Sequence, residues 1–455
     1  MAINVRFAPS PTGALHVGGL RTALYNYIFA KQNNGNLILR IEDTDQSRKV
    51  EGAINNLISS LEKCGIMFDK GPSEYSKDNL FIQSNRLSIY HKFTYYLLEH
   101  GYAYACFDDD FKKYRDREYT KEELADKPFH VRLKIPDHEL TIKDEIRGDI
   151  NFNLSLIEDP VILKTDQFPT YHLANVIDDY DMNISHVIRG EEWLPSTPIH
   201  VLLYNYFKWD LPLFFHLPLL LNPDKSKLSK RQGDVSVDDF LNNGYLPEAL
   251  INFIALLGWN PKNNDEIFLM EELINQFNIT NIQKAGAVFD IDKLNWMNGQ
   301  YLKNSNSQDI IPISKKIFKK NNFIVKDESD FLKILDFAKN RSDTISDMAM
   351  QSAPFFIEPE YNAGYLYLIL DTKSKALFSL LINKISVLDT MNELEIKDIV
   401  SALSIDVNLK GKELFFPIRL AIWGNVHGPD IGLIVKILGK EKTLDRLTKA
   451  LNYEN

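Results

Sequence analysis

Within its first 45 residues the chain spells out a strand, a loop, a helix and a second strand, an order that leaves few folds open. Ile3, Val5 and Phe7 alternate along an opening strand, and Pro9, Ser10, Pro11, Thr12 and Gly13 force the chain out of it. Beyond His16, the residues Leu20, Leu24, Tyr27 and Ile28 recur at helical spacing, and Asn33, Asn34 and Gly35 stop that helix. Residues 37–41 make an apolar strand that runs into Glu42, Asp43, Thr44 and Asp45. A strand, helix and strand of this length form a βαβ unit, which predicts a parallel sheet with its chemistry at the carboxyl ends of the strands.

The texture changes between about residues 100 and 165, where an acidic cluster at 108–110, a Lys/Glu-rich stretch to Lys127 and short strand-like pieces such as 130–135 suggest an insertion. The sheet pattern is expected to resume at 161–164 and again at 185–189, and Ser196, Thr197 and Pro198 mark the start of a helix. From about residue 236 the periodicity is mostly helical, as in 246–257, 365–370 and 377–388, with no internal repeat, heptad or low-complexity tract. A length of 455 residues suits roughly three domains with large cores.

Composition narrows the setting. Cys64 and Cys106 are the only cysteines, far apart and without paired spacing, so disulfide scaffolding is excluded and a reducing cytosol is expected. The longest apolar runs, 214–221 and 249–259, fall short of the roughly 18–20 residues of a membrane span. The opening residues lack the basic-then-apolar pattern of a secretion signal. A net charge of -10 argues against binding polyanions by overall basicity. Residues 301–455 are near neutral, with 21 Lys and Arg against 20 Asp and Glu, so a nucleic-acid partner requires local basic surfaces.

Neither GxxxxGK[ST] nor GxGxxG occurs, so any phosphate site must be built another way. One candidate is the loop at 9–19, where two prolines stiffen the turn and Gly18 and Gly19 open a helix. The unpaired N–H groups and positive dipole of a helix start attract phosphate, and glycines admit a flat base. His16 sits in this turn, although a lone loop histidine is more often structural. The second candidate is the loop at 222–233, where Lys225, Lys227, Lys230 and Arg231 crowd positive charge between a turn and Gly233. Alone, such a loop is more often a solvated basic turn.

Occurring in this order about 200 residues apart on either side of a split parallel sheet, the two segments are far more specific. His-Val-Gly-Gly at 16–19 resembles the HIGH motif of class I aminoacyl-tRNA synthetases in the variant of glutamyl-tRNA synthetases, and Lys-Leu-Ser-Lys-Arg at 227–231 resembles the KMSKS motif. The stretches 6–13, 39–45, 171–180, 188–200 and 222–231 also resemble the bacterial-type glutamyl-tRNA synthetases. The likeness runs from residue 3 to about 300 and, more weakly through 411–419, to the end.

This resemblance implies an α/β chain: a Rossmann-like catalytic domain at 1–100 and 165–235, split by an α+β acceptor-end-binding insertion at 101–164, then a stem-contact helical domain at 236–305 and an all-helical anticodon-binding region at 306–455. The implied reaction is ATP-dependent attachment of L-glutamate to the terminal ribose of tRNA(Glu) through a glutamyl-adenylate. His16, Lys227 and Lys230 are the implied catalytic residues. ATP would meet Pro9, Gly13, His16, Gly18, Gly19, Leu228, Ser229, Lys230 and Arg231, with Mg²⁺ arriving on ATP rather than in a protein cage. The glutamate carboxylates would face Arg6, Tyr171, Asn175 and Arg189, and the α-amino end would face Ala8, Ser10 and Glu42. The competing structural reading pairs the arginines with Glu42 or Asp43. A planar Arg fork holds a carboxylate bidentately, and glutamine would leave donors unpaired, so no editing site is required.

Asp178, Asp179 and Asp181 are expected to be helix-end or turn acids rather than metal ligands, and His172, His186, His200 and His216 to be satisfied structural histidines. Some family members hold zinc in the inserted region through Cys and His, whereas here only Cys106 remains, so no zinc is expected. The helical C-terminal region is absent from a truncated relative that transfers glutamate to a modified tRNA base, and its presence here implies an anticodon-reading enzyme. Lys315, Lys316, Lys319, Lys320 and Arg341 could hold RNA there, or the lysines could form one exposed helix face. The alternatives are a synthetase that prefers tRNA(Gln), or accepts it as well, and a catalytically silent tRNA-binding paralogue. A cytosolic monomer without membrane contact is expected.

Overall fold

A computed structural model describes residues 2–72, 80–117, 119–228, 235–262 and 264–454. The chain divides into two compact units, Met1–Met297 and Asn298–Asn455.

The first unit begins with β1 (Asn4–Phe7), whose four residues are all buried, followed by α1 (Val17–Gln32) and by β2 (Asn36–Leu39) parallel to β1, with Asn4 opposite Asn36 and Phe7 opposite Leu39. This is the expected βαβ unit. Helix α1 starts because His16 caps it, its Nδ1 accepting from the Gly18 N–H at 2.9 Å, and it ends at Asn33. Next come α2 (Ala53–Lys63), α3 (Leu87–Glu99), β3 (Ala103–Cys106), α4 (Lys121–Asp126), β4 (His130–Leu133), the hairpin strands β5 (Glu139–Asp144) and β6 (Gly148–Asn153), and β7 (Val161–Leu163). The chain then forms α5 (Tyr171–Asp181), β8 (His186–Gly190), α6 (Thr197–Phe207), β9 (Leu213–Leu217), β10 (Leu220–Leu221), α7 (Val237–Asn242), α8 (Pro247–Ala255), α9 (Met270–Gln276) and β11 (Ala287–Val288).

Strands β8 and β9 are parallel, with Ile188 opposite Phe215, and β9 also lies parallel to the end of β5, giving the order β6-β5-β9-β8. Beside β8 runs β1, where the Ser185 N–H donates to the Asn4 carbonyl at 3.0 Å. Two expectations need correction. Residues 161–163 do not resume the parallel sheet: β7 pairs antiparallel with β4 in a separate sheet ordered β3-β4-β7. Conversely, the β5–β6 hairpin inside the supposed insertion joins the parallel sheet through Asp144 and Phe214. Short apolar runs suit any buried strand, and only the tertiary partner decides which sheet receives them.

The main core packs Leu20, Leu24 and Ile28 of α1 against Leu37, Ile188, Phe215, Leu250 and Ile254. A second cluster joins Tyr90 and Leu97 to Val131, Leu163, Leu173, Ile177 and Leu203. Cys64 lies buried in the main core, its thiol pushed up to about 12 by burial and by Asp238 and Glu248. Cys106 is buried beside Tyr104 and Tyr114, with burial pushing its thiol up to about 11.

Helix α10 (Ile291–Asn304) spans the division. The second unit contains α11 (Ile311–Lys320), α12 (Glu328–Ala338), α13 (Ile345–Ser352), α14 (Leu366–Leu370), α15 (Thr372–Ser386), α16 (Glu393–Asp406), α17 (Lys412–Trp423) and α18 (Ile431–Leu451), with no strand among the described residues. Its core includes Phe318, Phe331, Leu377, Phe378, Ile418 and Ile434. Helix α11 buries Ile311, Ser314, Ile317 and Phe318 and leaves Lys315, Lys316, Lys319 and Lys320 exposed, with Lys315 paired to Glu328. No helix among the described residues is long and apolar enough to cross a membrane.

Leu24→Ala should cost about 2–5 kcal/mol by opening a cavity against the sheet, and a thermal-shift assay should show a lower midpoint. Ile324, 75% exposed, should tolerate alanine within about 0.5 kcal/mol in the same assay.

Candidate active site

A cavity of about 360 Å³ opens where the parallel strands end. The loop after β1 contributes Ala8, Pro9, Ser10, Gly13 and His16, and α1 contributes Gly18 and Gly19. Glu42 lies beyond β2, Tyr171 and Asn175 stand one turn apart on α5, and Arg6 and Arg189 come from β1 and β8. Residues more than 180 positions apart thus share one hollow. Thr22, Leu57, Gly190, Glu192 and Trp193 also line it and were not anticipated. At Gly190 the Glu192 carboxylate occupies the space a Cβ would take.

The lysine loop is anchored at the start of α1. Val17 N–H donates to the Val235 carbonyl at 3.0 Å, Val237 N–H donates to the Leu15 carbonyl at 2.9 Å, and His16 bridges Ser236 in antiparallel fashion. On its near side Leu228 is half-buried against the main core, with its N–H donating to the Leu220 carbonyl at 2.9 Å. Lys227 is exposed, and neither it nor Leu228 lines the cavity. Ser229, Lys230 and Arg231 lie outside the described residues. The helix start also differs from an open anion site, since Val17 and Gly18 have already committed their N–H groups. Gly19 packs closely, and a Cβ there would sit 3.0 Å from Leu15 Cδ1. Because His16 Nδ1 accepts a hydrogen bond, its neutral ring carries the proton on Nε2, a donor suited to phosphate oxygen.

Behind the cavity lies a buried ion network. Arg6 Nε donates to Asp179 at 3.1 Å, Arg40 reaches the same carboxylate at 2.6 Å, and Arg40 also donates to Glu42 Oε1 at 3.0 Å. Asn175 Nδ2 donates to that same Glu42 oxygen at 3.3 Å. Asp178 is held by Arg86 at 2.8 Å, by Gln83 at 2.8 Å and by the Tyr90 hydroxyl, and Arg86 continues to Asp181 at 2.6 Å. The competing pairing of Arg6 with Glu42 or Asp43 is therefore replaced by one with Asp179. These acids sit in the last turns of α5, where the helix dipole disfavours carboxylates, so the arginines are needed to hold them. Burial alone would raise the Asp179 carboxyl, but Arg6 and Arg40 outweigh it and hold it below its ordinary range. Burial raises the Glu42 carboxyl despite Arg40, Arg6 and Asn175.

Arg189 is held differently. Only 4% exposed, it donates from Nε to His216 Nε2 at 3.0 Å, from one terminal nitrogen to the Tyr171 hydroxyl at 3.0 Å and His200 Nδ1 at 3.1 Å, and from the other to Thr197 Oγ1 at 3.0 Å and the Trp193 carbonyl at 3.4 Å. None of these partners is a carboxylate. Burial, reinforced by the Arg189 charge, holds His200 well below its ordinary pKa. His216 is pushed down to about 4 by burial and the Arg189 charge against the Asp144 hydrogen bond, and His172 to about 4 by burial and Arg189. Both imidazoles that grip Arg189 are therefore neutral acceptors at physiological pH. The site holds a buried cation whose hydrogen bonds are met and whose charge has no anion in contact among the described residues, a costly arrangement unless a ligand supplies one.

The family model described as tRNA synthetases class I (E and Q), catalytic domain, matches residues 2–296, and that of an anticodon binding domain matches residues 309–451. The chain is 40% identical to the glutamate–tRNA ligase of Clostridioides difficile (strain 630), covering 99% of each, and 41% identical to that of Chloroherpeton thalassium, covering 99% of this chain and 98% of the relative. It is similar to the crystal structure of a glutamate tRNA ligase from Elizabethkingia meningosepticum in complex with its amino acid, with a TM-score of 0.87 and 37% identity over 99% of both chains. The corresponding synthetase of Elizabethkingia anophelis gives 0.85 and 37% over 100% of both. The chain belongs to the glutamate–tRNA ligase family of class I aminoacyl-tRNA synthetases.

In this synthetase the residues that sequence reasoning missed are those that set the arginines. Arg86 lies outside every family-like stretch and Arg40 stands within 39–45 with no role assigned to it, while the acids at 178–181 do end a helix, as expected, and also hold the arginines. His172, His200 and His216 are satisfied, as expected, and two of them also fix Arg189. Among the described residues no group of three or more His, Cys, Asp or Glu side chains is placed to hold a metal ion. Asp179→Ala would leave Arg6 and Arg40 without a shared anion and should cost about 3–5 kcal/mol. A lowered melting midpoint with raised glutamate KM is the expected readout, and an unchanged midpoint would contradict the buried network.

Proposed function

We propose that the chain attaches L-glutamate to tRNA(Glu) in two steps, forming glutamyl-adenylate from ATP and then passing the glutamyl group to the 2′-hydroxyl of the terminal ribose. The observation that supports the amino-acid choice is Arg189, a buried cation lining the cavity whose partners among the described residues are all neutral. A substrate side-chain carboxylate supplies the missing anion, and each charge-assisted hydrogen bond contributes about 1.5–3 kcal/mol. Glutamine would present an NH₂ group to donors, and a mismatch of this kind can reach about 10⁴–10⁵ in discrimination. At the other end of the substrate, Glu42 faces the ammonium group with Ala8 and Ser10, its carboxylate steered by Arg40 and Asn175. Arg6 and Tyr171 complete the carboxylate-binding side.

Adenylate formation joins an oxygen of the glutamate α-carboxylate to the α-phosphorus of ATP and expels pyrophosphate. Two anions meet, so positive charge is required where phosphate charge builds. His16 Nε2–H, Lys227 and Lys230 are assigned that work, with Pro9, Gly13, Gly18, Gly19, Leu228, Ser229 and Arg231 around ATP. Mg²⁺ enters with ATP as part of the substrate. The region 101–164 is assigned to the acceptor end, 236–305 to the tRNA stem and 306–455 to the anticodon. A cytoplasmic monomer completes the reading.

Pyrophosphate exchange into ATP, run with glutamate and tRNA present, tests the chemistry: His16→Ala and Lys230→Ala should each lower turnover about 10²–10³-fold while changing glutamate KM little. Wild-type turnover in both variants would remove the mechanism. Charging assays with separate transcripts test the RNA. Glutamate should load tRNA(Glu) in preference to tRNA(Gln), and equal or reversed loading would reassign the enzyme to Glu-tRNA(Gln) synthesis.

A further inference from the structure

Arg189 has only donors, so His216 Nε2 must present a lone pair to it, and the imidazole proton must sit on Nδ1. That Nδ1–H donates to Asp144 Oδ2 at 2.7 Å. Asp144 cannot swing away from this duty. Its Oδ2 also accepts the backbone N–H of His216 at 3.2 Å, and its Oδ1 accepts those of Ile146 at 3.0 Å and Arg147 at 2.8 Å. The His216 and Asp144 side chains are 0% and 1% exposed. A His216 ring protonated on Nε2 instead would aim one N–H at another, and Arg189 would have to turn.

The remaining bonds of Arg189 fall into two sets. His216, His200 and Thr197 lie behind it, whereas Tyr171 and Trp193, each bonded to one terminal nitrogen, line the cavity. An entering carboxylate can therefore replace the Tyr171 and Trp193 bonds across both terminal nitrogens while the rear grip persists. Asp144 provides negative charge one ring behind the guanidinium, where it does not cover the edge that meets the substrate.

We propose that Asp144 and His216 act as a positioning pair for glutamate selection, with Asp144 fixing His216 as an acceptor and His216 aiming the guanidinium of Arg189 into the cavity. The pair rests on the reading that Arg189 receives the side-chain carboxylate of the substrate. It adds to the site a residue of the β5–β6 hairpin that does not itself line the cavity.

The test uses the full-length enzyme and reads KM for glutamate and for ATP in tRNA-dependent pyrophosphate exchange. Asp144→Asn and His216→Leu should raise glutamate KM about tenfold or more, with ATP KM within about twofold of wild type. His216→Gln places an amide oxygen near the former Nε2 and should recover most of the loss seen with leucine. In that His216→Gln background, Asp144→Asn should change glutamate KM less than about twofold, because the tautomer no longer matters. Arg189→Ala separates the two ideas. If it raises glutamate KM while Asp144→Asn and His216→Leu do not, the positioning pair is wrong and the carboxylate site stands. If Arg189→Ala leaves glutamate KM unchanged, the site reading itself fails. A glutamine variant as impaired as leucine, or equal effects of Asp144→Asn in both backgrounds, would also overturn the pair. Should the leucine variant not fold, the glutamine variant and the two-background comparison still decide.

Discussion

Two arginines from neighbouring strands are buried in the wall of one cavity, and the protein holds each in a different way. Arg6 shares the Asp179 carboxylate with Arg40, which in turn steers Glu42, so that side of the wall is balanced within the protein. Among the described residues Arg189 is bonded to neutral groups, and one of them, His216, is in turn bonded to Asp144. A buried cation so arranged is expensive in the empty protein and inexpensive once an anion arrives. In the proposed glutamate site that difference favours a ligand that brings its own negative charge.

The opening βαβ unit was legible because three local signals agree there: alternation in the strand, helical spacing after His16, and a break at residues 33–35. The lining residues were legible as well, since Arg6, Glu42, Tyr171, Asn175 and Arg189 stand in stretches that resemble a known family. What could not be read is what depends on partners far away in the chain. Residues 161–163 look like any apolar strand, and nothing local says that β4 will receive them. Asp178 and Asp179 resemble the acids that often end a helix, and only the folded chain shows Arg6, Arg40 and Arg86 converging on them. Histidine tautomers are fixed by tertiary neighbours, so their role beside Arg189 left no trace in spacing.

The β5–β6 hairpin alters the meaning of the inserted segment. It lies within the span that sequence texture sets apart, yet it pairs with β9 beside β8, the strand that carries Arg189. The single pairing of Asp144 with Phe214 places the carboxylate two residues from His216 along β9. The insertion is thus stitched into the catalytic sheet, and displacement of the hairpin would be felt at Arg189.

Both native thiols are buried, and their acidity is suppressed to about 12 for Cys64 and about 11 for Cys106. At neutral pH burial keeps both in the unreactive thiol form. Maleimide and iodoacetamide dyes would therefore ignore the natural cysteines and react at one introduced on the surface. The unaltered chain is a quiet background for fluorescence reporters of how the enzyme moves when its substrates bind.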